Sequence, residues 1–260
     1  MIRLMNMTDC RWDEERFQNG QSVAEFLQKQ GLDGLELMHL PGGDPAFFQR
    51  ENVRGLHLRN WYDWVDLWKG NMENLMREYG TMDQILKPLQ ADLELARRFH
   101  VSYVVFHVCD VKNTEFFTNC VLHTDEEVVD AAAELINELL DGKSFEFEFL
   151  MENLWWPGLT MTRPEITERL LAQVHYPRKG IMLDTGHLMH TNLDLSTEEE
   201  AIDYVLEQIG KHGKMVSYIR GMHLNQSLTG SYVKEFLSRK DEMPASCKER
   251  DAVCYEHVFR

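Results

Sequence analysis

Seven short apolar runs, each followed by a stretch of helical periodicity, set the tightest limit on what this chain can fold into. They occupy residues 2–6, 34–38, 53–58, 103–108, 145–152, 180–184 and 219–224. Most are apolar on consecutive residues, as in a strand covered on both faces. Strand and helix in alternation feed a parallel sheet. The helices carry start signals of their own: Thr124-x-x-Glu127, Thr162-x-x-Glu165 and Ser196-x-x-Glu199 read as capping boxes before amphipathic runs. Behind the first of these, Val128, Ala132, Leu135, Ile136 and Leu139 share one face that can pack on a sheet.

An open doubly wound sheet and a closed barrel both satisfy this alternation. They differ in where polar residues gather, at one switch point in the first and at many strand C-termini in the second. Here each run ends at or near a polar or titratable residue. The expected fold is therefore α/β, a TIM (β/α) barrel, and 260 residues suit one such domain over 1–260. After residue 224 come a helical stretch and then AVCYEHVFR, which ends at residue 260. No eighth strand is evident, so the barrel is expected to lack it or to be truncated before it, with an unpaired edge at the seam.

Composition removes some function classes. The net charge of −16 repels polyanions, whereas nucleic-acid binding draws its strength from cations that neutralise phosphates. Nucleic acid is thus disfavoured as a partner. The five cysteines (Cys10, Cys109, Cys120, Cys247, Cys254) show no CxxC spacing, and a chain of this size needs no disulfide staples. MIRLMNMTDC lacks the basic start and apolar stretch of a secretory leader, and no apolar run approaches the ~20 residues that span a bilayer. A cytoplasmic protein without membrane contact is expected.

The chemistry sits at the strand ends. His57 lies in VRGLHLRN, His107 in YVVFHVCD, Glu152 in FLMENLWW, Asp184 and His187 in IMLDTGHLMH, and His223 in IRGMHLNQS. Each alone has a plain explanation: a salt-bridged Glu, an Asp capping the next helix, a His satisfied by a hydrogen bond. Five strand ends delivered to one rim are harder to explain that way. Imidazole and carboxylate together are donors for zinc, manganese or iron. An ionised Glu152 after so apolar a run is costly unless paired or coordinated. The expected cofactor is a divalent metal, zinc or manganese foremost, with Glu152, Asp184, His187, His223, His107 and His57 as ligands.

Glu36, ending the second run in GLDGLELMH, is placed to bind a substrate hydroxyl or to support a ligand from behind. With Asn153, Asn225 and Trp155, which adjoin the ligand segments, it forms the expected substrate-binding set. Trp61, Tyr62, Trp64, Trp68, Trp155 and Trp156 follow strand ends in loops, where they can stack on a sugar or base or pack over the mouth. Arg59, Arg220 or backbone N–H groups at a helix start are the candidates for phosphate.

Taken in order, GLHLRN, VFHVCD, FLMENLWW, LDTGHLMH and MHLNQS resemble the xylose-isomerase-like TIM barrels, which comprise sugar phosphate isomerases and epimerases and the zinc-dependent apurinic endonucleases. The resemblance covers nearly the whole chain, and LDTGH at 183–187 with HLNQS at 223–227 is its most specific part. It implies a shared metal centre on Glu152, Asp184 and His223. It implies for His187 a role on substrate, as in the epimerases, or on a further metal, as in the endonucleases. His57 and His107 then correspond to ligands added in members with more than one ion. The family's last strand normally brings another carboxylate, and its multi-zinc branch an Asp-x-His after the seventh strand. Neither is present here at matching spacing, Glu256 and His257 being the nearby candidates.

Three functions fit. The first is an isomerase or epimerase of a sugar or sugar phosphate, a small-molecule carbohydrate, in which a metal polarises a carbonyl and its neighbouring hydroxyl while a carboxylate moves a proton. Glu152 and His187 are its catalytic residues, the first as base and the second orienting a substrate oxygen. The second is a multi-metal phosphodiesterase of the apurinic-endonuclease type, with ions about 3.5–4 Å apart. The third is a barrel that has lost its chemistry and binds a ligand. Acidic balance and size favour the first.

Overall fold

The structure, a computed structural model, describes residues 1–17, 22–60, 63–72, 80–225 and 227–258. In chain order its elements are β1 (Leu4–Thr8), α1 (Arg11–Glu15), α2 (Val23–Gln30), β2 (Gly34–Met38), β3 (Val53–His57), α3 (Val65–Lys69), α4 (Asp83–Phe99) and β4 (Tyr103–His107). There follow α5 (Asn113–Thr118), α6 (Asp125–Leu140), β5 (Glu148–Glu152), α7 (Pro164–Gln173), β6 (Lys179–Asp184), α8 (Thr185–His190), α9 (Glu198–Lys211), β7 (Ile219–His223), α10 (Gly230–Ser238) and α11 (Cys247–Val258).

The seven strands form one parallel sheet in sequence order, β1 to β7. The sheet is curled: Glu36 of β2 and His223 of β7, five strands apart, approach to 3.0 Å, which a flat sheet with strands ~4.8 Å apart forbids. This is the expected (β/α) barrel, open between β7 and β1. Among the described residues no eighth strand pairs with either edge. No helix among them is long and apolar enough to cross a membrane.

Alternation along each strand separates two faces. Leu35, Leu37, Leu56, Val104, Phe149, Ile181 and Leu183 face outward into the main core, where they meet Ile85, Leu89 and Leu93 of α4 and Ile136 and Leu139 of α6. Each such side chain, fully buried, contributes about 1.5–3 kcal/mol. The inner face is smaller, with Val105, Leu150 and Met182 clustered beside Tyr103. A third apolar group of Phe116, Phe117, Trp156 and Phe236, with Val253 against it, seats α10 and α11 on α5.

Local signals held to differing degrees. Thr124 and Glu127 form the expected capping box. At α7 the expected Thr162 cap is wrong: Pro164 takes the first helical position and Arg163 precedes it without a capping side chain, leaving Thr162 to bond Thr160. At α9 the box is Thr197 with Glu200, one residue past the expected Ser196 and Glu199. Three successive glutamates allow either register, and Ser196 adds its own bond to Glu200 at 2.8 Å. The run at 145–152 pairs as a strand only from Glu148, because the carbonyls of Phe145 and Phe147 accept from the Tyr176 hydroxyl instead.

Candidate metal centre

The inner-face parity that puts Val105, Leu150 and Met182 inside also puts His107, Glu152 and Asp184 inside, two residues further along each strand. Gly55 and Gly221 lead to His57 and His223 in the same way. Strand register sets His107 opposite Glu152 and Asp184 opposite His223, while His57 pairs with Val105 and Glu152 with Met182, so the set steps by two residues between these pairs. The expected ligands therefore meet at the C-terminal end of the barrel, lining a cavity of about 1840 Å³.

Glu152 is the hub. Its Oε2 lies 3.1 Å from His57 Nε2 and 3.2 Å from His107 Nε2. Its Oε1 lies 2.9 Å from His223 Nδ1 and 3.4 Å from His187 Nδ1. Asp184 Oδ2 is 3.9 Å from His223 Nδ1. Two donor groups result, His57/His107/Glu152 and Glu152/Asp184/His223, each with its ligand atoms within 4.8 Å of one another. Glu152 belongs to both.

The histidines are oriented from outside the cluster. His57 Nδ1 lies 2.8 Å from the Leu58 carbonyl, which leaves Nε2 toward Glu152. His223 Nε2 lies 3.0 Å from Glu36, which leaves Nδ1 toward Glu152. His187 Nδ1 lies 2.8 Å from the Asn153 carbonyl. A carbonyl or carboxylate behind the ring is how metal-binding histidines are fixed. Among the described residues, His107 Nδ1 is buried without a partner. Imidazole nitrogens with carboxylate oxygens, in two convergent groups, fit zinc or manganese.

Burial would raise Glu152, but the His107 charge and hydrogen bonds from His107, His223 and His57 outweigh it and hold the carboxyl well below its usual range. Burial would lower His223, but Glu152 and Glu36 on its two nitrogens lift it to about 11. For His107 burial wins and brings it down to about 4. Asp184 is raised by burial.

Glu36 stands behind His223. It is 2% exposed and accepts from the Tyr103 hydroxyl at 2.6 Å and from Asn6 Nδ2 at 3.1 Å. The sequence reading missed Tyr103 and Asn6, although a polar residue on the inward parity of an apolar strand was the available signal. Tyr103 in turn depends on Gly55: a Cβ there would lie 2.3 Å from its ring. Asp184 has two roles, since Oδ1 caps α8 through the His187 N–H at 2.8 Å while Oδ2 accepts from Asn225 at 2.6 Å. The cap and ligand readings thus apply to different oxygens of one side chain.

Some expected substrate contacts lie elsewhere. Asn153 is 0% exposed and does not reach the cavity; its amide spans the β6 backbone, with Oδ1 accepting from Asp184 N and Nδ2 donating to Asp184 O. Trp64 is buried on the Cys109 carbonyl and Trp68 bonds Glu134, so both pack rather than line the mouth. Trp155, Asn225 and Glu36 do line the cavity. Trp61 and Tyr62 lie outside the described residues, as do the side chains of Glu256 and His257. The phosphate candidates are also placed: Arg59 is bidentate on Asp92 at 2.8 and 2.6 Å, and Arg220 is at the start of β7, the far end from His223.

Residues 74–245 match the xylose isomerase-like TIM barrel family, and the chain belongs to it. Similar solved structures include the 3-keto-D-glucoside 4-epimerase YcjR from E. coli, with 12% identity and a TM-score of 0.48 over 92% of this chain and 88% of that one. The IolI protein with a bound zinc atom has 14% identity and a TM-score of 0.47 over 92% and 96%. A family 2 AP endonuclease from Brucella melitensis has 14% and 0.44 over 92% and 89%. At these identities the likeness is one of fold. No curated protein sequence matches the chain significantly.

Proposed function

We propose that this chain is a divalent-metal-dependent isomerase or epimerase of a small carbohydrate, with the ion on Glu152, Asp184 and His223. The observation that carries the reading is the buried Glu152 carboxylate, set among four imidazoles and facing Asp184 across His223. A bound divalent ion there supplies Lewis acidity toward a carbonyl and the adjacent hydroxyl.

The chain's own residues do the rest. Glu152 is held ionised, the state needed to take a proton from the carbon beside a carbonyl. His187 is anchored through Nδ1 and orients a substrate oxygen with Nε2. Trp155, whose ring lies 5.1 Å from that of His187, offers an apolar face to a sugar ring. Glu36 keeps His223 in one orientation by accepting at Nε2.

The test is proton exchange with solvent deuterium at the carbon next to the carbonyl, followed by NMR over a panel of ketoses and aldoses. Glu152→Gln should cut the exchange that the parent protein shows by about 10²–10⁴-fold, and an unchanged rate would sink the assignment.

A second reading, a two-ion phosphodiesterase, has one observation in its favour: His57 and His107 complete a separate donor group on the other oxygen of Glu152. Element-specific metal analysis separates the two. About one ion per chain, insensitive to His57→Ala, supports the isomerase. Two ions, one lost with His57→Ala, support the phosphodiesterase.

A further inference from the structure

Beyond the rings of Trp155 and Trp156 lies a second cavity, of about 640 Å³, which meets the first at these residues and at Phe116. That volume lies within the range of small-molecule sites. The two cavities differ in the chemistry of their walls. The first holds imidazoles and carboxylates; the second is rich in hydroxyls, three pairs of which already touch. Thr160 bonds Thr162 at 2.8 Å, Thr191 bonds Tyr204 at 2.6 Å, and Ser227 bonds Thr229 at 3.2 Å. Thr191 donates to the Leu188 carbonyl at 2.7 Å and Thr229 to His190 at 2.7 Å, so those two pairs offer lone pairs to a ligand's hydroxyls, and Thr160 with Thr162 can both donate and accept.

Charge narrows the ligand further. Among the described residues no Lys or Arg lines the second cavity. Its two carboxylates are already engaged. Glu115 accepts from the Lys112 and Leu122 N–H groups at 2.8 and 2.6 Å, and Asp125 from Gly158 N at 3.1 Å and Arg163 at 3.2 Å. At the rim of the first cavity, Arg59 is held by Asp92 and Lys112 by Asp66 at 2.7 Å. Arg3, Arg54, Arg178 and Arg220 also line the first cavity, but at the N-terminal ends of the strands. Among the described residues, an anionic group at the histidine end or in the second cavity would thus meet no uncommitted cation, whereas a neutral polyhydroxylated ring would meet hydroxyls and aromatic faces.

The partition between the cavities is fixed in place. His190 stacks on Trp155 with centroids 4.8 Å apart, and its own nitrogens are held by the Gly186 carbonyl at 3.0 Å and Thr229 Oγ1 at 2.7 Å. Trp155 also lies 5.1 Å from His187 of the metal cluster. A ligand that reaches both cavities would therefore lie against the indole with a ring on each side.

Building on the isomerase or epimerase reading, we infer that the substrate is an unphosphorylated glycoside, with the reacting sugar at the metal cluster and a second neutral sugar in the hydroxyl-lined cavity. The test is calorimetric titration of the full chain supplied with zinc. The probes are glucose and fructose, their 6-phosphates, and the disaccharides sucrose, maltose, cellobiose and lactose.

At least one disaccharide should bind about tenfold or more tightly than its component sugars, with the 6-phosphates no tighter than their parents. Val233→Trp, which places an indole in the second cavity, should bring the disaccharide-to-monosaccharide affinity ratio close to one. The nearly isosteric Thr160→Val should lower that ratio several-fold. The inference is overturned if monosaccharides bind and disaccharides bind no better, if a 6-phosphate binds best, or if both variants keep the parent ratio. If no sugar binds at all, the isomerase or epimerase reading falls and the inference falls with it.

Discussion

The wall from β2 to β6 and the seam between β7 and β1 are built from similar apolar strands, yet they end up in different surroundings. On the wall, Leu37, Leu56, Val104 and Phe149 are fully buried. At the seam, Met222 and Leu224 are 52% and 79% exposed, and Ile2 across the gap is 67% exposed. Among the described residues, strand β7 has a partner on one side only, so its outer edge carries backbone groups unpaired among them. The candidate metal cluster straddles this divide. His57, His107, Glu152 and Asp184 end wall strands, His187 follows on α8, and His223 alone comes from the seam strand. What pins His223 is the pair of carboxylates on its two nitrogens. Side-chain bonds across the barrel interior thus do at the rim what ladder closure does in a complete barrel.

Substitutions can break this comparison or sharpen it. The largest effect is expected at the hub: Glu152→Gln keeps the shape but removes the charge, and turnover measured by deuterium incorporation should fall by about 10²–10⁴-fold. Next comes the wall. Leu37→Ala opens a space in a 0% exposed site and should cost about 2–5 kcal/mol in urea unfolding. Glu36→Gln, which loosens the tie between wall and seam, should weaken metal binding by about 10–100-fold in a chelator competition. The smallest effect is expected at the seam, where Leu224→Ser should change stability by no more than about 0.5 kcal/mol. A cost there as large as that of Leu37→Ala would show the seam to be covered in solution, and the contrast between the two regions would collapse.

Much of this was legible in the residues. The strand order and the convergence of His, Asp and Glu side chains from five strand ends follow from apolar runs that each stop at a titratable side chain, a local pattern. What could not be read depends on neighbours across the barrel. Tyr103 and Asn6 matter because they converge on Glu36 from different strands, and no spacing along the chain records that. Asn153 adjoins Glu152 in sequence, but parity turns it away from the cavity and onto the β6 backbone. Trp64 and Trp68 follow a strand end as Trp155 does, and only the path of the loop decides which of them faces a ligand. The caps of α7 and α9 were missed because a proline and a run of glutamates each shifted the first turn by one residue.

Gly55 binds nothing, yet the position of Tyr103, and through it Glu36 and His223, rests on the space it leaves open. Anyone transplanting this set of side chains onto another barrel would have to carry that gap along with the histidines. A loss-of-function screen should likewise return substitutions at a position with no functional group to lose.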